Sequence, residues 1–165
     1  MAHDHQEPHG PNDRSRGRDP ALNRLALTAT LHCLSGCATG EVLGMVIGTA
    51  LGWGNGPTIL LAVILAFIFG YAFTMIPLVR AGLAFSAVLK LALAADTVSI
   101  TIMEIVDNLV MVVIPGAMEA SLDSVLFWGS LAGALIIAGV VAFPVNRWLI
   151  ARGRGHAVLH EHHRH

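Results

Sequence analysis

The chain has 165 residues, of which 55% are hydrophobic and only 13% are charged, and its formal net charge is -1. This charged fraction is about half that of an average soluble domain, and the mean hydropathy is +0.66, which argues against an ordinary cytosolic enzyme and favours a membrane protein. Nucleic-acid binding is not expected, because the sequence has neither a basic surplus nor a base-stacking motif.

The charged residues are concentrated at the two ends of the chain. Residues 1–19 contain no large apolar side chain after Met1, so we expect a disordered N-terminal tail that is not a secretory signal peptide. Residues 152–165 are rich in histidine and are expected to form a flexible C-terminal tail. Only eight formally charged side chains lie between Leu25 and Asn146. The middle of the chain is therefore the candidate membrane domain.

Residues 20–151 are predicted to form an all-α domain of four transmembrane helices. A helix needs about 20 residues to cross the hydrocarbon core, and four apolar stretches are long enough, at about 21–51, 58–80, 87–114 and 124–148. Asp19 and Asp123 are predicted to cap the first and fourth helices. The second and fourth helices have uncharged cores, whereas the first and third carry ionisable side chains.

The first helix has glycine at every fourth position over five members, which are Gly36, Gly40, Gly44, Gly48 and Gly52. Such a series, of the glycine zipper type, removes side chains from one stripe and lets another helix approach closely. We expect close packing either within one chain or between copies. The series also suggests a homo-oligomer that forms through these glycines.

A second stripe on the first helix carries potential metal ligands. Cys33, Cys37 and Glu41 are spaced by four and lie on one face, with His32 beside them. Imidazole, thiol and carboxylate groups suit a soft or borderline cation such as Zn²⁺ or Cu⁺. Alternatively, the cysteines are small buried apolar residues and His32 bonds a neighbouring helix.

The third helix carries three acids on one side, namely Asp96, Glu104 and Asp107, with Met103 and Asn108 close to them. An acid at mid-depth in a bilayer costs at least a few kcal/mol unless it is paired, protonated or hydrated, so such residues are functional candidates. The alternative is that one acid is a neutral hydrogen-bonding group that locks the bundle.

If the first and third helices touch, the rise of 1.5 Å per residue places their polar groups in two layers. The lower layer would contain His32, Cys33, Cys37 and Asp96. The upper layer would contain Glu41, Glu104 and Asp107. Such an arrangement would resemble a ladder of cation sites.

The basic residues predict the orientation. With four spans, all ten Lys and Arg residues lie on the side of the N-terminal tail or at its membrane edge, so both termini are expected in the cytoplasm. Eight of the nine histidines lie in the tails, among them His160, His162, His163 and His165. Short histidine tracts can bind metal, although a solvated tail explains them equally well.

Three segments resemble a known family. They are HCLSGCATGEVLGMVIGTALGW, AADTVSITIMEIVDN and FPVNRWLIARGRGHA. Over roughly Thr30 to Ala157 the chain resembles a bacterial and archaeal family of integral membrane proteins catalogued as domain of unknown function 4396. The resemblance implies an integral membrane protein and brings no established activity.

The sequence therefore predicts a protein of the bacterial or archaeal inner membrane that binds and moves a transition-metal ion such as Cu or Zn, with protonation of the acids as a coupling step. Its expected surroundings are membrane lipid. One alternative is a non-catalytic membrane subunit or scaffold. Another is thiol redox chemistry with Cys33 and Cys37 as a reversible pair. No hydrolase motif is present, and an enzyme is not predicted.

Overall fold

The computed structural model describes residues 19–82 and 84–162, with residues 87, 88, 91, 92, 95 and 153–162 as backbone alone. These residues form four helices in the order α1 (Pro20–Ala50), α2 (Asn55–Arg80), α3 (Phe85–Val113) and α4 (Val125–His162). The described part of the chain has no β-strand, and the all-helical prediction is confirmed. The predicted N-terminal tail, His163 and His165 lie outside the described residues, apart from Asp19.

Local hydrogen bonds explain where two of the helices begin. Oδ1 of Asp19 accepts hydrogen bonds from the backbone N–H groups of Ala21 and Leu22 at 2.9 and 3.3 Å, so the predicted cap of α1 is confirmed. At the start of α4, it is Ser124 whose Oγ accepts a hydrogen bond from Leu126 N at 3.1 Å. The prediction of Asp123 as this cap was wrong by one residue. Asp123 instead accepts a hydrogen bond from the Ser121 hydroxyl, which lowers the pKa of Asp123.

The four helices form a ring. Each helix packs on the next one in the chain, and α4 packs back on α1. The most extensive contact is between α1 and α2, followed by α3 with α4, α1 with α4, and α2 with α3. The least extensive of these contacts joins α1 and α3 across the ring. This diagonal contact brings together the two helices that carry ionisable residues.

The glycine series of α1 packs against small residues of α2. A Cβ atom added at Gly36 would overlap the backbone of Gly70, one at Gly40 the backbone of Ala66, and one at Gly44 the backbone of Ala62. At Gly48 the added atom would meet the side chain of Thr58. We call this contact the glycine seam. Its packing partner is α2 of the same chain, so the homo-oligomer stays a prediction and would need another surface.

Gly52 does not belong to the glycine seam. It follows the end of α1 with φ at +66°, and a Cβ atom there would meet nothing within 4 Å. This backbone conformation favours glycine. The fifth member of the sequence series is therefore a turn residue that lets the chain leave α1.

Three helices are long and apolar enough to cross a membrane, and they span Pro20–Ala50, Asn55–Arg80 and Val125–Arg152. The protein is therefore a helical membrane protein. The third helix, α3, is not among these candidate spans within the described residues, and it carries Lys90, Asp96, Glu104 and Asp107. It nevertheless packs inside the same bundle.

The fourth helix extends well beyond its predicted end at residue 148. It continues to His162, through most of the segment expected to be a flexible tail. After Pro144 this stretch has no proline, and Ala, Leu, Arg and Glu favour a helix. Compositional polarity was therefore a poor guide to helix termination here. His160 and His162 lie in the last turns of α4, and their metal binding stays a prediction.

Candidate cation-binding site

One face of α1 presents the predicted sulfur and carboxyl ligands to the bundle interior. The exposed fractions of Cys33, Cys37 and Glu41 are only 1, 1 and 2%. A glycine of the seam follows three residues after each of them, so this face of α1 lies beside the face that contacts α2. Because α2 covers the glycine face, the adjacent face is directed to the other helices.

The acids of α3 are buried equally well. Asp96, Glu104 and Asp107 are 6, 5 and 3% exposed. Both cysteines are free thiols. We refer to these three acids, together with Cys33, Cys37 and Glu41 of α1, as the acid–thiol cluster.

The cluster lies along the contact between α1 and α3. Sγ of Cys33 donates a hydrogen bond to Oδ1 of Asp96 over 3.8 Å. At 1.5 Å per residue, Glu41 and Glu104 each lie about 12 Å beyond this bonded pair along their helices, and Asp107 lies about 4.5 Å farther along α3.

The hydrogen bond between Cys33 and Asp96 shows that these two faces meet. Cys37 lies about 6 Å beyond Cys33 along α1, between the level of Asp96 and that of Glu104.

Most carboxyl oxygens of the cluster lack a hydrogen-bond partner. In the described part of the chain, the unpartnered buried side-chain oxygens are both of Glu41, both of Glu104, one each of Asp96 and Asp107, and Oγ of Ser99. The sequence has no Lys or Arg between Arg24 and Arg80, or between Lys90 and Arg147. Burying an unpaired carboxylate is strongly unfavourable. These groups therefore require protons or bound cations.

The cluster lies near the middle of the bundle's length. Along α1, Cys37 is about 20 Å from Arg24 and about 24 Å before Trp53, at 1.5 Å per residue. Basic side chains gather at one end, where Nε of Arg147 donates a hydrogen bond to Oδ1 of Asn23 at 2.7 Å. Tryptophan is typical of a membrane boundary, and Trp53 and Trp128 lie at the opposite end. Cys37 is therefore far from both ends of α1, whereas on α3 Asp96 lies about 9 Å beyond Lys90 and Asp107 lies about 9 Å before Val113.

His32 is not packed within the cluster. Its side chain is exposed on an open groove of about 570 Å³ between α1 and α2, which Phe73, Pro77 and Arg80 also line. Nδ1 of His32 lies 2.8 Å from the carbonyl oxygen of Thr28. His32 therefore lies at the edge of the bundle and not in the lower layer, where the sequence had predicted it.

Met103 and Asn108 have structural roles on α3. Met103 is 1% exposed and packs in the core cluster that contains Cys33 and Cys37. Nδ2 of Asn108 donates a hydrogen bond to the carbonyl oxygen of Glu104 at 2.9 Å, one turn earlier in the same helix. Asn108 is thereby held along its own helix, whereas the Met103 thioether lies against the thiols.

Comparison with protein families gives one match. Residues 23–155 match the family described as domain of unknown function (DUF4396), which is most of the chain. The chain belongs to this family. No curated protein and no solved structure matches it. The DUF4396 match contains all of the acid–thiol cluster and ends before His160 and His162, so the bundle and not the histidine tail is what the family shares.

The donor types of this DUF4396 bundle fit a soft or borderline cation, but the donors are not gathered around one point. Within the described residues, no three His, Cys, Asp or Glu side chains are close enough together to hold a metal ion. The donors are instead distributed along the α1–α3 contact. This arrangement can hold protons as it stands, and it would bind a metal only after side chains from adjacent levels converge.

Sequence reasoning missed three methionines in this bundle. Met45, Met111 and Met118 line a cavity of about 90 Å³ near Trp53 and Asn55. The signal was present, because Met45 continues the series Cys33, Cys37 and Glu41 at the same spacing of four. We call this cavity the methionine pocket.

Proposed function

We propose that the protein binds a transition-metal cation in the acid–thiol cluster and moves it across the membrane in exchange for protons. The observation that carries this proposal is the set of six buried carboxyl oxygens without a protein hydrogen-bond partner in the described part, beside two buried free thiols. A non-catalytic scaffold would gain nothing from such groups, since each acid destabilises the bundle unless it is neutralised.

The ligand chemistry supports a metal that exchanges with protons. Thiolates favour Cu⁺ and Zn²⁺, while carboxylates supply charge and bind protons when the metal leaves. Metal ligands must be deprotonated, so metal binding releases protons. The ligands offer successive positions along the bundle axis, from Cys33 and Asp96 at one end of the cluster to Glu41, Glu104 and Asp107 at the other.

The proposal includes four membrane spans in the inner membrane, with both termini in the cytoplasm. Packing of α3 within the bundle supports the fourth span. The described basic residues support the orientation, because Arg24, Arg80, Lys90, Arg147 and Arg152 lie at one end of the helices, and the opposite connection carries Glu119 and Asp123.

Metal analysis of the purified full chain tests the binding step. The protein is prepared in detergent without metal-affinity resin, incubated with Zn²⁺ or Cu⁺, desalted and measured by elemental analysis. We expect bound metal in the native chain and at least tenfold weaker binding in Glu104→Gln. Glu119→Gln is the matched control, because Glu119 is exposed and lies outside the cluster.

Transport is tested in liposomes that contain a metal-sensitive dye and a pH dye. We expect metal uptake with opposite proton movement, and loss of both in Glu104→Gln. Native protein that binds neither metal would contradict the proposal. An intact bundle with unchanged uptake in the Glu104 and Cys33→Ser/Cys37→Ser variants would also contradict it and would favour a scaffold.

A further inference from the structure

Three methionine side chains line one small cavity at the end of the bundle opposite the basic residues. The cavity has a volume of about 90 Å³, and its walls include Met45, Met111 and Met118. Met111 is 2% exposed, and Met118 packs against it in a core cluster near the end of α3. The space is larger than the roughly 30 Å³ that a water molecule occupies in the liquid, so a single ion fits in it.

The methionine pocket continues the acid–thiol cluster along both helices. Met45 follows Glu41 by one turn of α1, and Met111 follows Asp107 by one turn of α3. Met45 and Met111 both line the cavity, so the turns that follow these two acids meet at the same space. The sulfur ligands are therefore found on both sides of the carboxyl level.

We propose that the methionine pocket binds a soft monovalent cation, Cu⁺ or its analogue Ag⁺, and that Cu⁺ is the ion carried by the bundle. Thioethers are neutral, soft ligands that select Cu⁺, whereas Zn²⁺ is bound by thiolate, imidazole and carboxylate groups. Methionine is often a filler of irregular cores. Here, however, three methionines are among the residues that line one cavity, one helical turn beyond a cluster of ion ligands, and the space between them is not filled by protein atoms.

This inference names the cation of the proposed function and in that respect depends on it. Binding at the methionine pocket can be measured separately from transport. The pocket lies on the side of Trp53 and Asn55, away from Arg24 and Arg147, so a cation there is not repelled by the basic end of the bundle.

Site-resolved NMR tests the pocket directly. The full chain in detergent is labelled at its methionine methyl groups and titrated with Ag⁺, which needs no reductant, and separately with Zn²⁺. We expect Ag⁺ to shift the methyl signals of Met45, Met111 and Met118, and to leave that of Met75 on α2 unchanged. Zn²⁺ should shift none of the three pocket signals.

Leucine variants supply the affinity measurement, because Met and Leu have similar volumes and their exchange preserves packing. In a Cys33→Ser/Cys37→Ser background that removes the thiols, Met45→Leu/Met111→Leu should weaken Ag⁺ binding at least tenfold. Met75→Leu in the same background is the matched control. If the serine background does not fold, the titration of the native chain is decisive by itself.

The outcomes distinguish this inference from the proposed function. Unshifted pocket signals under saturating Ag⁺ would overturn the methionine site, even if Zn²⁺ binds the cluster and is transported. Shifted pocket signals in a protein whose Glu104→Gln variant transports metal normally would overturn the proposed function and leave the methionine site in place. Equal shifts with Zn²⁺ would overturn the selectivity for Cu⁺.

Discussion

At the scale of single residues, the acids of α3 are expensive to bury and have no basic partner to offset that cost. The sequence already indicated this, because Asp96, Glu104 and Asp107 recur on one side of an otherwise apolar helix. It could not indicate that Cys33 bonds Asp96 or that His32 lies on an open groove. Those facts depend on the register and rotation of α1 against α3, which helical spacing alone does not determine.

Proton release provides a prediction for these residues. Protons compete with metal for the carboxyl and thiol groups, so metal affinity should fall as the pH falls. Adding Zn²⁺ or Cu⁺ to the weakly buffered protein should release protons, and Glu104→Gln should release fewer. A titration followed with a pH dye measures the number of protons released per bound metal ion. Metal binding that is independent of pH and releases no proton would argue against the cluster as the site.

Asn146 is the subject of a second prediction at this scale. Its Nδ2 donates a hydrogen bond to Oγ1 of Thr30 at 2.9 Å, and both side chains are buried. Asn146→Ala leaves a buried hydroxyl without this donor and should cost about 1–3 kcal/mol of unfolding free energy. Thermal unfolding in detergent measures the loss.

The matched double variant Thr30→Val/Asn146→Leu removes both polar partners and should recover part of the lost stability. If the double variant is as unstable as Asn146→Ala or less stable, packing and not the hydrogen bond would be the cause.

At the scale of elements, the glycine seam makes α1 and α2 the tightest pair of the bundle. The spacing of the α1 glycines predicted a close approach, and the small residues Thr58, Ala62, Ala66 and Gly70 of α2 have the same spacing of four. The sequence of α1 alone could not show whether its glycines pack against α2 or against a second copy of the chain. Either surface can pack closely on a stripe of small residues.

Gly40→Ala tests the seam. The added Cβ would overlap the backbone of Leu65 and Ala66, which cannot rotate away, so we expect a loss of about 1–3 kcal/mol in unfolding free energy. Gly133→Ala on α4 is the control, because nothing lies within 4 Å of its added Cβ. That variant should gain about 0.5–1 kcal/mol, since alanine favours a helix more than glycine does. Unfolding curves in detergent that show equal stability for both variants would refute the seam.

At the scale of the whole molecule, the apolar pattern was sufficient for the helical membrane architecture, whereas the ends of the helices were less predictable. The extension of α4 to His162 shows why, because a polar but helix-compatible sequence does not itself stop a helix. The proposed four-span topology also belongs to the whole molecule, since it requires α3 to cross the membrane despite its ionisable residues.

Surface labelling tests this topology. The native cysteines are 1% exposed, so single added cysteines report their own positions. A membrane-impermeant maleimide applied to intact cells should label Ser121→Cys, in the α3–α4 connection, and should not label Ala81→Cys, in the α2–α3 connection. Both should react after the membrane is permeabilised. Labelling of Ala81→Cys alone in intact cells would reverse the orientation, and labelling of both connections would rule out a crossing by α3.

The contact between α1 and α3 is the least extensive of the main helix contacts, and it contains all six members of the acid–thiol cluster. Separating the tight α1–α2 pair from the α3–α4 pair would break the α1–α4 and α2–α3 contacts as well as the α1–α3 contact. The two most extensive contacts, α1–α2 with its glycine seam and α3–α4, would stay closed. Such a separation would divide the acid–thiol cluster between two intact helix pairs, with Cys33, Cys37 and Glu41 on one and the three acids of α3 on the other.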